Sequence, residues 1–230
     1  MVISVAYTTH MTSPVQPPSE IGRPAPVPAR RRGRPRAFDR DAALDRALGL
    51  FWTQGFEGTS IADLTEALDI NPPSLYAAFG SKEELFREAL NLYIRAYGLP
   101  LEQALTEERT TLDAVARILR AAARLFPAGS TPGGCMICNG GLTCAPPHRS
   151  VANVVAGTRD LMVSALGGRI MAGKAMGEIP GDFDPLTLAR FVAAVIEGMA
   201  VQARDGADEA TLLGIADVAL RAWPARSRAR

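Results

Sequence analysis

The chain has few of the residues on which catalytic and disulfide-rich proteins depend. It contains three cysteines, an odd number that argues against a disulfide framework, and only two histidines in 230 residues. Since His10 lies in a stretch without apolar periodicity, His148 alone remains for nucleophile–base catalysis. No glycine-rich phosphate loop follows a strand pattern. We therefore expect a protein that is not an enzyme and has no cofactor and no resident metal.

Long hydrophobic runs and strand patterns are also absent. The uncharged stretch 125–148 is crowded with proline and glycine, which excludes a lipid-facing helix. The first twenty residues lack the basic start and the apolar core of a signal peptide. No period-two alternation occurs, whereas apolar residues recur at three-to-four spacing from Asp39 onwards. The sequence predicts an all-α, cytoplasmic protein with reduced thiols and no membrane partner.

Charge is nearly balanced overall but unevenly distributed. The formal net charge is +1, yet residues 21–40 carry seven arginines and one acid. Such a basic segment either faces a polyanion or only solubilises the chain. Residues 1–37 also hold seven of the 17 prolines and little apolar periodicity, so we interpret them as a disordered Arg/Pro-rich arm.

Residues 59–85 predict two short helices joined by a tight turn, with a third helix directly after them. Ser60 and Asp63 fit a capping box for the first helix. Asp69 begins the turn, and Asn71 caps the second helix with Pro72 at its first position. This order is typical of a helix-turn-helix that reads the major groove of DNA.

The second helix, NPPSLYAAF, has the features of a reading helix. Leu75 and Phe79 are predicted to face the core, whereas Pro73, Ser74 and Tyr76 face outward. Each outward residue has a second interpretation: Tyr76 as a half-buried packing residue, Ser74 as an ordinary helix-start residue, and Pro73 as a stiffener. Lys82, at the start of the next helix, is either a phosphate contact or a solvated lysine.

The segment from 33 to 93, with its LFWTQGFEGTS and SLYAAFGSKEEL blocks, resembles the N-terminal domain of TetR-family transcriptional regulators. The resemblance implies a homodimeric, ligand-responsive repressor with a three-helix DNA-binding domain and a larger helical effector and dimerisation domain. Two departures are Asp69, where glycine is usual in the turn, and the double proline Pro72–Pro73. With the arm included, the predicted DNA-binding residues are Arg34, Arg36, Thr59, Ser60, Pro73, Ser74, Tyr76 and Lys82.

The predicted organisation is therefore the arm at 1–37, the DNA-binding domain at 38–82, and a helical effector-binding and dimerisation domain at 83–225. Apolar stripes near the C-terminus are predicted to pair with a second copy. The predicted interface residues are Phe191, Val195, Ile196, Met199, Leu213 and Leu220. The predicted ligand pocket is lined by Leu119, Phe126, Met136, Leu161 and Met162.

The three cysteines form the pattern C-x2-C-x5-C-x3-H with His148. Cys135, Cys138 and Cys144 are open to three interpretations: buried structural thiols, a thiol-based switch, or a metal-sensing site. Taken together, the sequence predicts a TetR-type repressor that binds a palindromic double-stranded DNA operator as a dimer. A small-molecule or thiol-reactive effector would release it. The alternative is a cysteine-dependent redox or metal-binding protein or enzyme that uses the same three cysteines.

Overall fold

The computed structural model describes residues 39–129 and 131–224, and within these ranges it contains helices and no strand. This confirms the predicted all-α class. The predicted arm at 1–37, with Arg34 and Arg36, lies outside the described residues. The helices are α1 (Arg40–Gly58), α2 (Ile61–Leu68), α3 (Pro72–Phe79), α4 (Lys82–Tyr97), α5 (Leu101–Glu107), α6 (Thr111–Leu125), α7 (Met136–Asn139), a 3-10 turn (Pro146–His148), α8 (Arg149–Ala175), α9 (Pro185–Arg204) and α10 (Glu209–Arg221).

Short polar side chains determine where most of these helices begin. The side chains of Asp39, Ser81, Thr110, Asp184 and Asp208 each accept a hydrogen bond from a backbone N–H in the first turn of the following helix. Such caps satisfy donors that the helix itself leaves free. Because several of these residues are recognisable in the sequence, most predicted helix starts agree with the structure.

Glycine and one aspartate shape the turns of the N-terminal part. Gly55 interrupts α1 with φ 73° and ψ 177°, a conformation that glycine adopts more readily than other residues. Asp69 adopts the left-handed conformation, with φ 55° and ψ 46°. Aspartate tolerates this region better than most residues, so the turn forms without the usual glycine.

One continuous apolar core joins the helices. In its N-terminal part the Phe86 ring makes edge contacts with Phe51 and Phe56 at centroid distances of 5.1 and 5.4 Å. Helix α4 packs against α1 and also reaches α8, so packing continues across the predicted domain boundary at residue 82. The division at residue 82 into a DNA-binding domain and an effector-binding domain therefore stays a prediction about function. Farther along, α8 packs on α9, and α6 packs on α10.

Two helices are short. Helix α5 starts after Pro100 without a side-chain cap. Helix α7 is a single turn that ends before Gly140. Among the described helices, α9 is long and apolar enough to cross a membrane, but its buried face packs against α6, α8 and α10, so it is a core helix of the bundle.

Candidate nucleic-acid interface

The reading helix α3 has one anchored face and one free face. Leu75 and Phe79 are buried, with exposed fractions of 0% and 3%. Pro72, Pro73, Ser74, Tyr76 and Ala77 are all exposed. The rigid anchor and the uncovered outer face are what insertion into a DNA groove requires.

The entry into α3 is fixed by its cap and by α1. The Asn71 side chain accepts a hydrogen bond from Ser74 N–H at 2.9 Å. Arg46 of α1 donates to the Leu68 carbonyl at 3.3 Å, which ties the end of α2 to α1. Arg46 is not among the predicted residues, because no local sequence pattern marks an arginine that donates to a carbonyl 22 residues away.

Arg40 holds the other end of the reading helix. Its guanidinium lies 4.6 Å above the Phe79 ring and donates to the Ala78 carbonyl at 3.3 Å. It also forms a 2.7 Å ion pair with Glu88 of α4. The two arginines thus set the orientation of α3, and Arg40 is engaged in positioning rather than free for phosphate.

Ser60 and Thr59 differ in what their side chains offer. Ser60 and Asp63 form the predicted reciprocal capping box, with bonds of 3.1 and 2.8 Å. Ser60 remains exposed. Thr59 is fully buried, and its hydroxyl donates to the Gly55 carbonyl at 2.8 Å. A side-chain contact from Thr59 to DNA is therefore wrong, since the Gly55 kink turns this hydroxyl inward.

Lys82 is held in place rather than freely solvated. Its ammonium lies 4.2 Å above the Phe56 ring, at a distance typical of a cation–π contact. Burial lowers the pKa of Lys82 below its ordinary value, while Glu57 and Glu83 oppose that shift. The ammonium is thus held in a fixed position at the N-terminus of α4, which suits a phosphate contact.

A second set of contacts ties this DNA-reading part to the loop between α7 and α8. Phe56 N–H donates to the Gly140 carbonyl at 3.1 Å. One oxygen of Glu57 accepts from Ala145 N–H at 2.7 Å and lies 2.8 Å from the His148 ring nitrogen. We call these contacts the Glu57 latch. Sequence reasoning missed it, because its partners are separated by more than 80 residues.

The three cysteines do not form one site. Cys135 and Cys138 are buried next to each other on α7, whereas Cys144 is half-buried near Glu57 and Lys82. Among the described residues, no group of three or more histidine, cysteine or acidic side chains is placed to hold a metal ion. The structure gives the metal-sensing interpretation no support and divides the thiols into a pair and a separate residue.

The predicted ligand pocket is not formed as expected. Leu161 is 72% exposed on the outer face of α8, so it lines no pocket. Leu119, Phe126 and Met136 are closed within the core, and Met162 is half-buried against it. Both faces of α8 carry apolar residues, so periodicity alone assigned Leu161 to the wrong side. A cleft of about 430 Å³ lies elsewhere, at the Thr111, Glu178 and Trp223 end of the bundle.

The predicted interface residues divide into two groups, one on an outer groove and one inside the core. Phe191 and Val195 line an apolar groove of about 470 Å³ between α9 and α10. Ile196 and Met199 are 1% and 0% exposed, so their assignment to an interface is wrong: they face the core of their own chain. Leu213 and Leu220 are half-buried against that core. The groove is also lined by five residues of α10 and by the residue directly after it: Thr211, Gly214, Ile215, Val218, Ala219 and Ala222.

Comparison with known proteins is consistent with this geometry. Residues 43–89 match the family model described as bacterial regulatory proteins, tetR family. The chain is 41% identical over 194 residues to the HTH-type transcriptional repressor ComR of Escherichia coli K12, covering 84% of this chain and 92% of ComR. It is 40% identical over 120 residues to the repressor BdcR of the same organism, covering 52% of this chain and 61% of BdcR.

A solved structure extends the likeness to the bound state of a similar protein. The TetR family transcriptional regulator CifR, as a cysteine mutant complexed with 26-base-pair double-strand operator DNA, is 43% identical to this chain, with a TM-score of 0.77. The match covers 84% of this chain and all of the CifR chain.

Proposed function

Because the chain belongs to the TetR family of bacterial transcriptional regulators, we propose that it is a cytoplasmic repressor that binds a palindromic operator as a homodimer and is released by an effector. The exposed face of α3, held by Leu75 and Phe79 below it, carries this proposal. The likeness to ComR and BdcR, both described as repressors, supports repression rather than activation. These relatives do not favour a cysteine-dependent enzyme.

The proposed contacts to DNA are of two kinds. Pro73, Ser74 and Tyr76 meet the groove, because they lie on the exposed face of α3. Ser60 and Lys82 meet phosphates on either side, because each stands at a helix N-terminus where free N–H groups favour anions. For Thr59, only the backbone remains available for such a contact.

Dimerisation is proposed through the groove between α9 and α10. Val218 is 58% exposed and Phe191 39%, which leaves an apolar surface without a partner inside the described part of the chain. A second copy related by a two-fold axis would cover it and place two reading helices on successive major grooves.

Effector release is proposed to act through the loop from α7 to α8. This loop carries the Gly140 carbonyl and the residues that bind Glu57, so its displacement would move the end of α1. Since Lys82 rests on Phe56, the same displacement would shift the proposed phosphate contact. An effector needs only to favour the displaced loop to lower DNA affinity.

Binding of the full chain to the intergenic DNA beside its own gene tests the proposal. Fluorescence anisotropy at fixed salt should give at least tenfold tighter binding than a shuffled duplex of equal length and composition. The complex should contain two chains per duplex. Equal affinity for both duplexes across several candidate intergenic regions would overturn the proposed operator recognition.

A further inference from the structure

Cys135 and Cys138 form a buried thiol pair that no DNA contact uses. Cys135 is the N-cap residue of α7, and Cys138 follows it one turn later. The two are 6% and 5% exposed, and each affects the ionisation of the other. Two cysteines three positions apart across one helical turn are positioned to form one intrachain disulfide.

The surroundings favour one thiolate in this pair. The Tyr93 hydroxyl donates to the Cys135 sulfur at 3.3 Å. Hydrogen bonds from Cys138 and from the backbone N–H groups of Ile137 and Cys138 lower the pKa of Cys135 to about 7, against the opposing effect of burial. The same pairing and burial raise the pKa of Cys138, so it keeps its proton. Cys135 is therefore the nucleophile and Cys138 the resolving thiol.

We propose that Cys135 and Cys138 are the site at which a small hydroperoxide oxidises this protein, and that the resulting disulfide releases DNA. The second half of this inference rests on the proposed repressor function. The first half concerns only the thiol pair and stands independently of any operator.

The chemistry balances with hydroperoxide as the only added reactant. The Cys135 thiolate attacks one peroxide oxygen, an S–O bond forms, the O–O bond breaks, and hydroxide leaves and takes up a proton. The sulfur of Cys138 then attacks the Cys135 sulfenic acid, so that the S–S bond forms and water leaves. Two thiols lose two electrons, and one hydrogen peroxide becomes two waters.

Burial selects the size of the oxidant. Tyr93 and the core around α7 leave both sulfurs nearly inaccessible, so a water-sized peroxide has an advantage over a bulky disulfide such as oxidised glutathione. Cys144 is more exposed but lacks a neighbouring thiol, and burial and Glu57 raise the pKa of its thiol. The pair, rather than the half-buried Cys144, is expected to react.

A short path links the pair to the DNA-reading part. Joining Cys135 to Cys138 adds a covalent bond across the single turn of α7. The Gly140 carbonyl directly after this turn accepts from Phe56 N–H, and Phe56 supports Lys82. Arg159 of α8 holds the middle of the turn by donating to the Ile137 carbonyl at 2.9 Å. Movement of α7 against this anchor is thus transmitted to the end of α1.

The test uses the full chain, reduced and then treated with a tenfold excess of hydrogen peroxide. Intact mass should fall by about 2 Da, consistent with loss of two hydrogens. Peptide mapping should locate a Cys135–Cys138 disulfide. Oxidised glutathione at equal concentration should react at least tenfold more slowly. A wild-type protein in which both thiols stay free, or in which Cys144 alone is oxidised, would overturn the site.

Variants separate the roles of the three cysteines. In the Cys138→Ser protein, oxidation should stop at a sulfenic acid on Cys135, which dimedone traps as an adduct. The Cys144→Ser protein should form the disulfide like the wild type. A Cys138→Ser protein without an adduct on Cys135 would contradict the assignment of the nucleophile. Because the wild-type mass change needs no variant, a poorly folded mutant does not remove the test.

Measuring DNA binding tests the release of DNA separately from the oxidation of the thiol pair. Oxidation should weaken operator binding at least tenfold, and a dithiol reductant should restore it. A disulfide that leaves affinity unchanged would overturn the release of DNA while leaving the oxidation site intact. If the reduced chain prefers no DNA sequence, the proposed function fails, and the mass change still decides the thiol chemistry.

Discussion

The Glu57 carboxylate lies 2.8 Å from the His148 ring nitrogen, although the two residues are 91 positions apart in the chain. Glu57 lies in the last turn of α1, and His148 directly precedes α8. The His148 ring also meets the Phe56 ring at a centroid distance of 5.0 Å and lies 3.8 Å from Glu83. His148 thus connects the start of α8 with the end of α1 and the start of α4.

Replacing His148 by alanine should weaken this connection. The change removes a hydrogen bond to a charged group and an edge contact with Phe56, so the free energy of unfolding should fall by about 1 kcal/mol. Urea unfolding monitored by circular dichroism measures it. Arg149→Ala, at the neighbouring exposed position, is the control and should change stability by less than about 0.5 kcal/mol. Equal effects of the two variants would show that the latch adds nothing specific.

The acid side of the stability profile should depend on Glu57. Its hydrogen bonds with His148 and with Ala145 N–H lower its pKa below the ordinary 4.5. A carboxylate with a lowered folded-state pKa stabilises the protein above pH 4.5, and that contribution is lost as the pH falls through the lowered value. Wild type should therefore melt at a higher temperature than Glu57→Gln at pH 7, and the difference should shrink toward pH 3.5. Because other carboxylates titrate in both proteins, a difference that stays constant with pH would contradict this role.

The proposed phosphate contacts predict a uniform loss of DNA affinity. Lys82→Ala should weaken binding to specific and shuffled duplexes alike and reduce the slope of log Kd against log salt by about one, since one fewer counterion is released. Lys174→Ala is the charge-matched control, because its ammonium donates to the Phe183 carbonyl at the far end of α8. Identical salt slopes for the two variants would remove Lys82 from the interface.

For Tyr76, a Phe variant that binds like wild type would exclude its hydroxyl from any contact.

Local sequence signals were sufficient to predict much of the helix-turn-helix formed by α2 and α3. The Ser60–Asp63 capping box, the Asn71 cap and the Leu75–Phe79 spacing each act within a few residues, so the sequence contains the whole interaction. The left-handed Asp69 turn follows from the same local reasoning. The burial of Thr59 was missed, because it depends on the kink at Gly55, whose carbonyl accepts the Thr59 hydroxyl.

Long-range packing explains what could not be predicted. Helix α9 is apolar on several sides, so periodicity did not separate Ile196, which faces its own core, from Phe191, which lines the outer groove. The same ambiguity placed Leu161 in a pocket when it is exposed. The Glu57 latch joins segments far apart in sequence, and no local pattern marks it. When a helix is apolar on all sides, only its packing against neighbouring helices determines which face is buried.

Oxidation of the thiol pair should follow the ionisation of Cys135. With a pKa of about 7, the thiolate fraction rises about tenfold between pH 6 and pH 8, and the rate with hydrogen peroxide should rise equally. The titratable and charged groups facing the pair are Tyr93 of α4 and, beyond Cys138, Arg159 of α8 and Glu197 of α9. Tyr93→Phe, which removes one donor to the Cys135 sulfur, should shift the profile to higher pH. Stopped-flow rates at constant ionic strength test this, and a profile that is flat from pH 6 to 8 would contradict it.

The groove between α9 and α10 should determine the oligomeric state and, through it, DNA affinity. Val218→Asp places a charge on the exposed apolar surface lined by Phe191 and Val195, where a second copy would have to bury it, so the dimer should dissociate. Light scattering at micromolar concentration should give about half the wild-type mass while the helical circular dichroism stays unchanged. Leu142→Asp is the control, because Leu142 is 61% exposed outside the groove and should leave the dimer intact. Since one reading helix makes only half of the contacts to a palindrome, the Val218→Asp monomer should lose more than tenfold in operator affinity. A Val218→Asp protein that remains dimeric would place the interface on another face of the bundle.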